Sequence, residues 1–181
     1  MEERQKKRIS KFISLVLRHR PELIGIDLDH QGWAKTQELI EKSKSKDVQF
    51  TIEDLNEIVI TNDKKHFSFN EDGTKIRANQ GHSLKYVDLE MKPIEPPAIL
   101  YHGTVVKFID SIKKQGLIKR SRQHVHLSLD IETANKVGSR RGVPVILEIE
   151  AQKMYAKGFK FYCSANGVWL TDHIPAEFII F

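Results

Sequence analysis

"MKPIEPP", residues 91–97, places three prolines in seven residues. Proline locks φ and removes a backbone donor, so this stretch continues neither a helix nor a central strand. The character of the chain changes across it. Before it, apolar residues recur mostly at helical spacing; after it, they alternate as in strands. The stretch reads as a linker between a lobe over residues 1–90 and a lobe over residues 98–181. The expected fold class is α+β.

Working back from the linker, "HFSFNEDGTKIRA" predicts a hairpin. Phe67 and Phe69 alternate, Asp72-Gly73 turns the chain, and Ile76 begins the return strand. Thr51, with Asp54 three positions on, predicts the N-cap of a helix through Val59. Gly32-Trp33 precedes "AKTQELIEKSK", which reads as an amphipathic helix. Ile9, Phe12, Ile13, Val16 and Leu17 mark a helix from Arg8 to His19, which Pro21 stops near Arg20. Three helices and a hairpin resemble a winged-helix unit.

Working forward, "AILYHGT" reads as a strand and "KFIDSIKKQG" as a helix ended by Gly116. "RQHVHLSL", residues 122–129, reads as a strand with two unlike faces. Val125, Leu127 and Leu129 alternate with Arg122, His124, His126 and Ser128. A solvated strand face usually carries Thr, Lys or Glu, so an arginine, two histidines and a serine make this face unusual. Helices at "IETANKVG" and "AQKMYAKG" and strands at "VPVILEIE", "FKFYC", "GVWLT" and "EFIIF" complete the lobe. Trp169 in "GVWLT" alternates with apolar neighbours, which suits a structural role.

The 181 residues are 40% hydrophobic and 29% charged, enough for a core. No apolar run approaches the ~18–20 residues that span a bilayer, and "MEERQKKRISKF" lacks a signal peptide's apolar region. A single cysteine, Cys163, excludes an intrachain disulfide and a Cys-rich zinc site. A cytoplasmic protein with no membrane partner and no obligate protein partner is expected. Residues 1–20 hold seven Lys/Arg against Glu2 and Glu3. Residues 107–141 hold nine against Asp110, Asp130 and Glu132. Such patches suit a polyanionic partner. No G-x-G-x-x-G or G-x-x-x-x-G-K-[ST] is present, which argues against a Rossmann fold or a P-loop. His124 and His126, even with His102, lack a Cys or carboxylate at ligand spacing, so no metal site is expected.

Taken in order, "LRHRPE", "GW", "IRANQGHS", "LYHGT", "GL", "RQHVHLS", "VG" and "NGVWLT" resemble the motifs of the RNA 2′-phosphotransferase family, KptA in bacteria. The match runs from about Ser10 to Phe181. The resemblance implies a winged-helix RNA lobe and an ADP-ribosyltransferase-like lobe. It implies NAD as a consumed co-substrate, no metal, and RNA carrying a 2′-phosphate as partner. The implied catalytic group is Arg18, His19, Arg77 and Arg122. Implied NAD contacts are His102, Gly103, Thr104, His126, Ser128 and Arg140; implied RNA contacts are Arg18, Arg20, Arg77 and His82. Two rivals share parts of these features. A winged-helix DNA-binding regulator accounts for the first lobe only. An ADP-ribosyltransferase acting on nucleic-acid ends or on protein accounts for the second.

Overall fold

A computed structural model of the chain describes residues 1–62 and 64–181. They divide into two units, Met1–Glu90 and Met91–Phe181, each with its own core. Helix and sheet are mixed in both, so the fold is α+β.

The first unit opens with helix α1 (Glu3–Arg18), which begins five residues before the apolar stripe predicts. Its buried face is Ile9, Ile13, Val16 and Leu17, at i, i+4, i+7 and i+8. The helix stops as expected before Pro21. Ala34 and Lys35 do not join the next helix. They form a two-residue strand, β1 (Ala34–Lys35), and α2 (Thr36–Ser43) starts only after it. A strand so short gives no alternation to read. Helix α3 (Ile52–Thr61) begins with the expected cap: Thr51 Oγ1 accepts from Asp54 N–H, and Asp54 accepts from Thr51 N–H.

The hairpin is present as β2 (Phe67–Phe69) and β3 (Lys75–Ala78), with Ser68 opposite Arg77 and Phe69 opposite Ile76. β1 adds on the far side, giving the antiparallel order β1-β3-β2. Ile76 and Ala78 face the core, so Arg77 projects from the other face of the middle strand.

Residues 91–97 carry no helix or strand, yet they are tied to the second unit. Ile94 N–H donates to the Phe161 carbonyl at 2.9 Å, and Gln152 Nε2 donates to Glu95 Oε1 at 3.2 Å. Strand β4 (Leu100–Val105) follows, then helix α4 (Ile109–Gln115). Gly116, at φ 73°, ends that helix as expected. Strand β5 (Leu117–Ile118) comes next, then β6 (Val125–Leu127), α5 (Ile131–Gly138), β7 (Pro144–Ile149) and α6 (Ala151–Ala156). The chain closes with β8 (Phe161–Cys163), β9 (Trp169–Thr171), β10 (His173–Ile174) and β11 (Ile179–Ile180).

The strands form sheets β11-β7-β4 and β6-β9-β8 and a small pair β10-β5. Paired backbone bonds of 2.8 Å between Tyr101 and Ser128 join β4 to the end of β6. The strand expected over 122–129 is thus only three residues long. Arg122 lies in the turn before it, its N–H donating to the Lys119 carbonyl at 3.0 Å. Strand alternation is therefore not what aims Arg122. Trp169, opposite Leu127 and Cys163, is half-buried against the core.

Candidate functional site

Polar side chains gather at one place in each unit. In the first, α1 ends on Arg18, and His19 caps it. The N–H groups of His19 and Arg20 both donate to the Leu15 carbonyl, at 3.1 and 3.0 Å. Cations are favoured at this end of a helix, where carbonyls point outward. The chain after β3 folds back onto the helix end: Ser83 N–H donates to the Arg18 carbonyl at 3.0 Å. Ser83 Oγ lies 2.9 Å from His19 Nδ1, a hydrogen bond.

Beside Ser83 in the chain, His82 is 1% exposed, with no hydrogen-bond partner among the described residues at either ring nitrogen. Gly32 makes room for it. A Cβ there would stand 3.2 Å from His82 Nε2 and 3.1 Å from Val87 Cγ1, and φ is +80°. Burial, then the positive charges of Arg18, His19 and Arg77, push His82 down to about 4. His82 is therefore neutral and interior near pH 7, not exposed as an RNA contact would be. The other half of the "GW" motif holds Arg77, whose guanidinium carbon lies 4.5 Å from the Trp33 ring centroid. Burial lowers Arg77 from the ordinary arginine value, and Asp29 opposes that shift. Arg18, His19, Arg77 and His82 thus form one electrostatic cluster. Arg20 is apart from it, exposed, its Nε donating to Glu22 Oε1 at 3.0 Å.

In the second unit, His102 Nδ1 donates to the His126 carbonyl at 3.0 Å, which leaves Nε2 as the acceptor of the neutral ring. Burial, then the charges of Arg141 and Arg122, lower His102, against that bond. Arg122 Nη1 donates to His126 Nδ1 at 3.1 Å, so Nε2 carries the proton of a neutral His126. The protein packed around Arg122, together with Arg141 and Arg140, lowers that guanidinium too. His102, Arg122 and His126 therefore meet, with Arg140 and Arg141 adding charge. His124 turns instead to the Tyr162 ring, 5.5 Å between centroids.

Gly103 and Thr104, two of the implied NAD contacts, are packed against protein. A Cβ on Gly103 would lie 1.8 Å from the Ala134 carbonyl oxygen, so the space beside Gly103 is filled by α5. Gly138, at the end of α5, is the counterpart, with a Cβ there 3.1 Å from the Thr104 carbonyl oxygen. The "VG" and "HG" pairs are one helix-on-strand contact. Thr104 is buried, opposite Val145. Ser128 is half-buried, its backbone paired with Tyr101.

Three residues belong to these clusters that had no assigned role: Trp33, Ser83 and Arg141. Trp33 and Ser83 lie within the quoted motifs "GW" and "IRANQGHS", and Arg141 shows only as the doubled arginine of "SRRG". Arg77, Arg122, Arg140 and Arg141 make no ion pair among the described residues. No group of three His, Cys, Asp or Glu that could hold a metal ion occurs among the described residues. Nor is any helix there long and apolar enough to cross a membrane.

A sequence model of the "RNA 2'-phosphotransferase, Tpt1 / KptA family" matches residues 4–173. A "Probable RNA 2'-phosphotransferase" of Flavobacterium johnsoniae is 59% identical over 181 residues, covering 100% of this chain and 99% of that one. Proteins of the same description from Fusobacterium nucleatum and Acaryochloris marina are 55% and 51% identical. They cover 96% and 98% of this chain, and 97% and 98% of their own length. Matched from end to end at this identity, the chain belongs to the RNA 2′-phosphotransferase family and is a transferase.

Proposed function

We propose that the chain removes an internal 2′-phosphate from RNA by transferring it to NAD, which is consumed. The observation that carries this reading is the set of guanidinium groups without ion pairs among the described residues: Arg77 in the first unit, and Arg122, Arg140 and Arg141 in the second. A structural arginine commonly ends on a carboxylate. Arginines that do not are ready for phosphate, which guanidinium grips bidentately. A phosphorylated RNA and a dinucleotide bring such groups to both units.

In this reading the second unit holds NAD. Arg140 and Arg141 suit its pyrophosphate, and Arg122 serves the transferred phosphate as part of the catalytic group; His102 offers an acceptor at Nε2, and His126 a donor at Nε2. Gly103 and Thr104 act behind them, setting β4 against α5. The first unit, a winged-helix-like RNA lobe, holds the 2′-phosphate on Arg18, Arg77 and His19. The phosphate is already anionic, so the first step needs orientation more than a base. One phosphate oxygen bonds to C1″ of the nicotinamide ribose. The bond from C1″ to nicotinamide breaks, and nicotinamide leaves with the electron pair.

In the second step the ribose 2″-oxygen bonds to phosphorus, and the bond from phosphorus to the RNA 2′-oxygen breaks. The attacking hydroxyl loses a proton and the RNA oxygen gains one. Arg77 and Arg18 stabilise the charge that builds at phosphorus. His19 is the group that exchanges a proton near neutral pH, and it delivers one to the departing oxygen. The products are RNA with a 2′-hydroxyl, nicotinamide and ADP-ribose 1″,2″-cyclic phosphate.

Nicotinamide release tests this. With a 2′-phosphorylated oligonucleotide, release is expected to match the phosphate removed; with the same oligonucleotide bearing a 2′-hydroxyl, none is expected. Phosphate removal without nicotinamide release overturns the reading.

A further inference from the structure

Ser83 touches the end of α1 twice. Its N–H donates to the Arg18 carbonyl at 3.0 Å, using an acceptor that a helix leaves open at its C-terminus. Its Oγ lies 2.9 Å from His19 Nδ1. The segment that carries it is held from both sides. Gly81 turns the chain at φ 85°, and the buried His82 ring packs against Gly32. Backbone and core contacts, not His19 itself, therefore set where the Ser83 hydroxyl stands.

We propose that Ser83 is a positioning residue: its hydroxyl accepts from His19 Nδ1–H and so makes Nε2 the atom that exchanges the catalytic proton. A histidine with its Nδ1 proton engaged loses and regains its other proton at Nε2. Without the acceptor, the bond that selects the Nδ1–H tautomer is lost. The inference rests on the catalytic role given to His19 above. The other titratable groups in this cluster are Arg18 on α1, Arg77 on β3 and His82.

The test compares Ser83→Ala with Ser83→Thr, which keeps the hydroxyl. Turnover of 2′-phosphorylated RNA is measured across pH, and His19 ring nitrogens are followed by NMR. Ser83→Ala is expected to lower kcat on the order of 10–100-fold, the scale of a misplaced catalytic group, with a smaller change in KM for RNA, because Arg18 and Arg77 still hold the phosphate. The pH limb belonging to His19 should move to lower pH, because a hydrogen bond to the cationic ring is lost. Ser83→Thr should restore most of kcat. In wild type, neutral His19 should carry its proton on Nδ1. A folded Ser83→Ala protein with wild-type kcat and pH profile overturns the proposal. So does equal loss in Ser83→Thr, or a wild-type His19 protonated on Nε2 when neutral, a readout that stands even if the variants do not fold. Failure of the parent reading is distinct: wild type itself then releases no nicotinamide.

Discussion

Arg77 lies over the Trp33 ring, 4.5 Å from guanidinium carbon to ring centroid, and its Nε is buried without a hydrogen-bond partner among the described residues. The ring holds a planar fork that can grip phosphate bidentately, and an ammonium has no such fork. Arg77→Lys is therefore expected to behave like Arg77→Ala, slowing the second step by ~10²–10³, the usual effect of losing one such donor. ADP-ribosylated RNA should accumulate in single-turnover time courses of both variants. A lysine variant that turns over like wild type removes the bidentate grip from the account.

His82 makes a separate prediction about stability. Its folded form resists protonation down to about 4, whereas the unfolded ring takes a proton near the model-peptide value of 6.5. Between these limits the unfolded chain binds more protons, so stability falls as pH falls from about 6.5 to about 4. The full loss is about 3 kcal/mol at ~1.4 kcal/mol per pH unit. Urea unfolding across that window should show this slope in wild type and its absence in His82→Gln. Equal slopes in both proteins would mean His82 is not the buried base described.

Among the elements, α5 packs on β4 with no room for a side chain at Gly103. A Cβ at Gly103 would sit 1.8 Å from the Ala134 carbonyl oxygen, which is backbone and cannot swing aside. Gly103→Ala is expected to cost at least ~3 kcal/mol, the upper part of the overpacking range. Gly158 is a useful contrast: nothing lies within 4 Å of a Cβ there, and only its φ of +93° resists substitution. Gly158→Ala should cost ~1–2 kcal/mol. Chemical denaturation ranks the two, and similar costs would contradict the packing reading of Gly103.

The same contact shows where sequence reading stops. α3 and its capping box were legible because cap and stripe lie within eleven consecutive residues. The hairpin was legible from Asp72-Gly73 between alternating phenylalanines. β1, β5 and β10 were not, because each is two residues long and owes its existence to a distant partner. The packing of α5 on Gly103 was not legible, because a sequence does not say what presses on a glycine. The burial of His82 was not legible either, because it involves Gly32, fifty positions away.

For the whole chain, a net charge of +5 comes with two clusters in which cations act on one another. If these guanidinium groups supply the positive charge that phosphoryl transfer needs, a divalent ion has no part left to play. Turnover is expected to continue unchanged in excess chelator. Loss of turnover there, restored by a single divalent metal, would contradict this.

The central claim is that a phosphate leaves RNA and ends on ADP-ribose. Its most direct test is one reaction: purified chain, NAD, and an oligonucleotide radiolabelled in its internal 2′-phosphate, with every labelled species identified over time. The account predicts that the label passes through ADP-ribosylated RNA and collects in ADP-ribose 1″,2″-cyclic phosphate, leaving RNA with a 2′-hydroxyl. Label that appears as inorganic phosphate, or that stays on RNA as a stable ADP-ribosyl adduct, would contradict it.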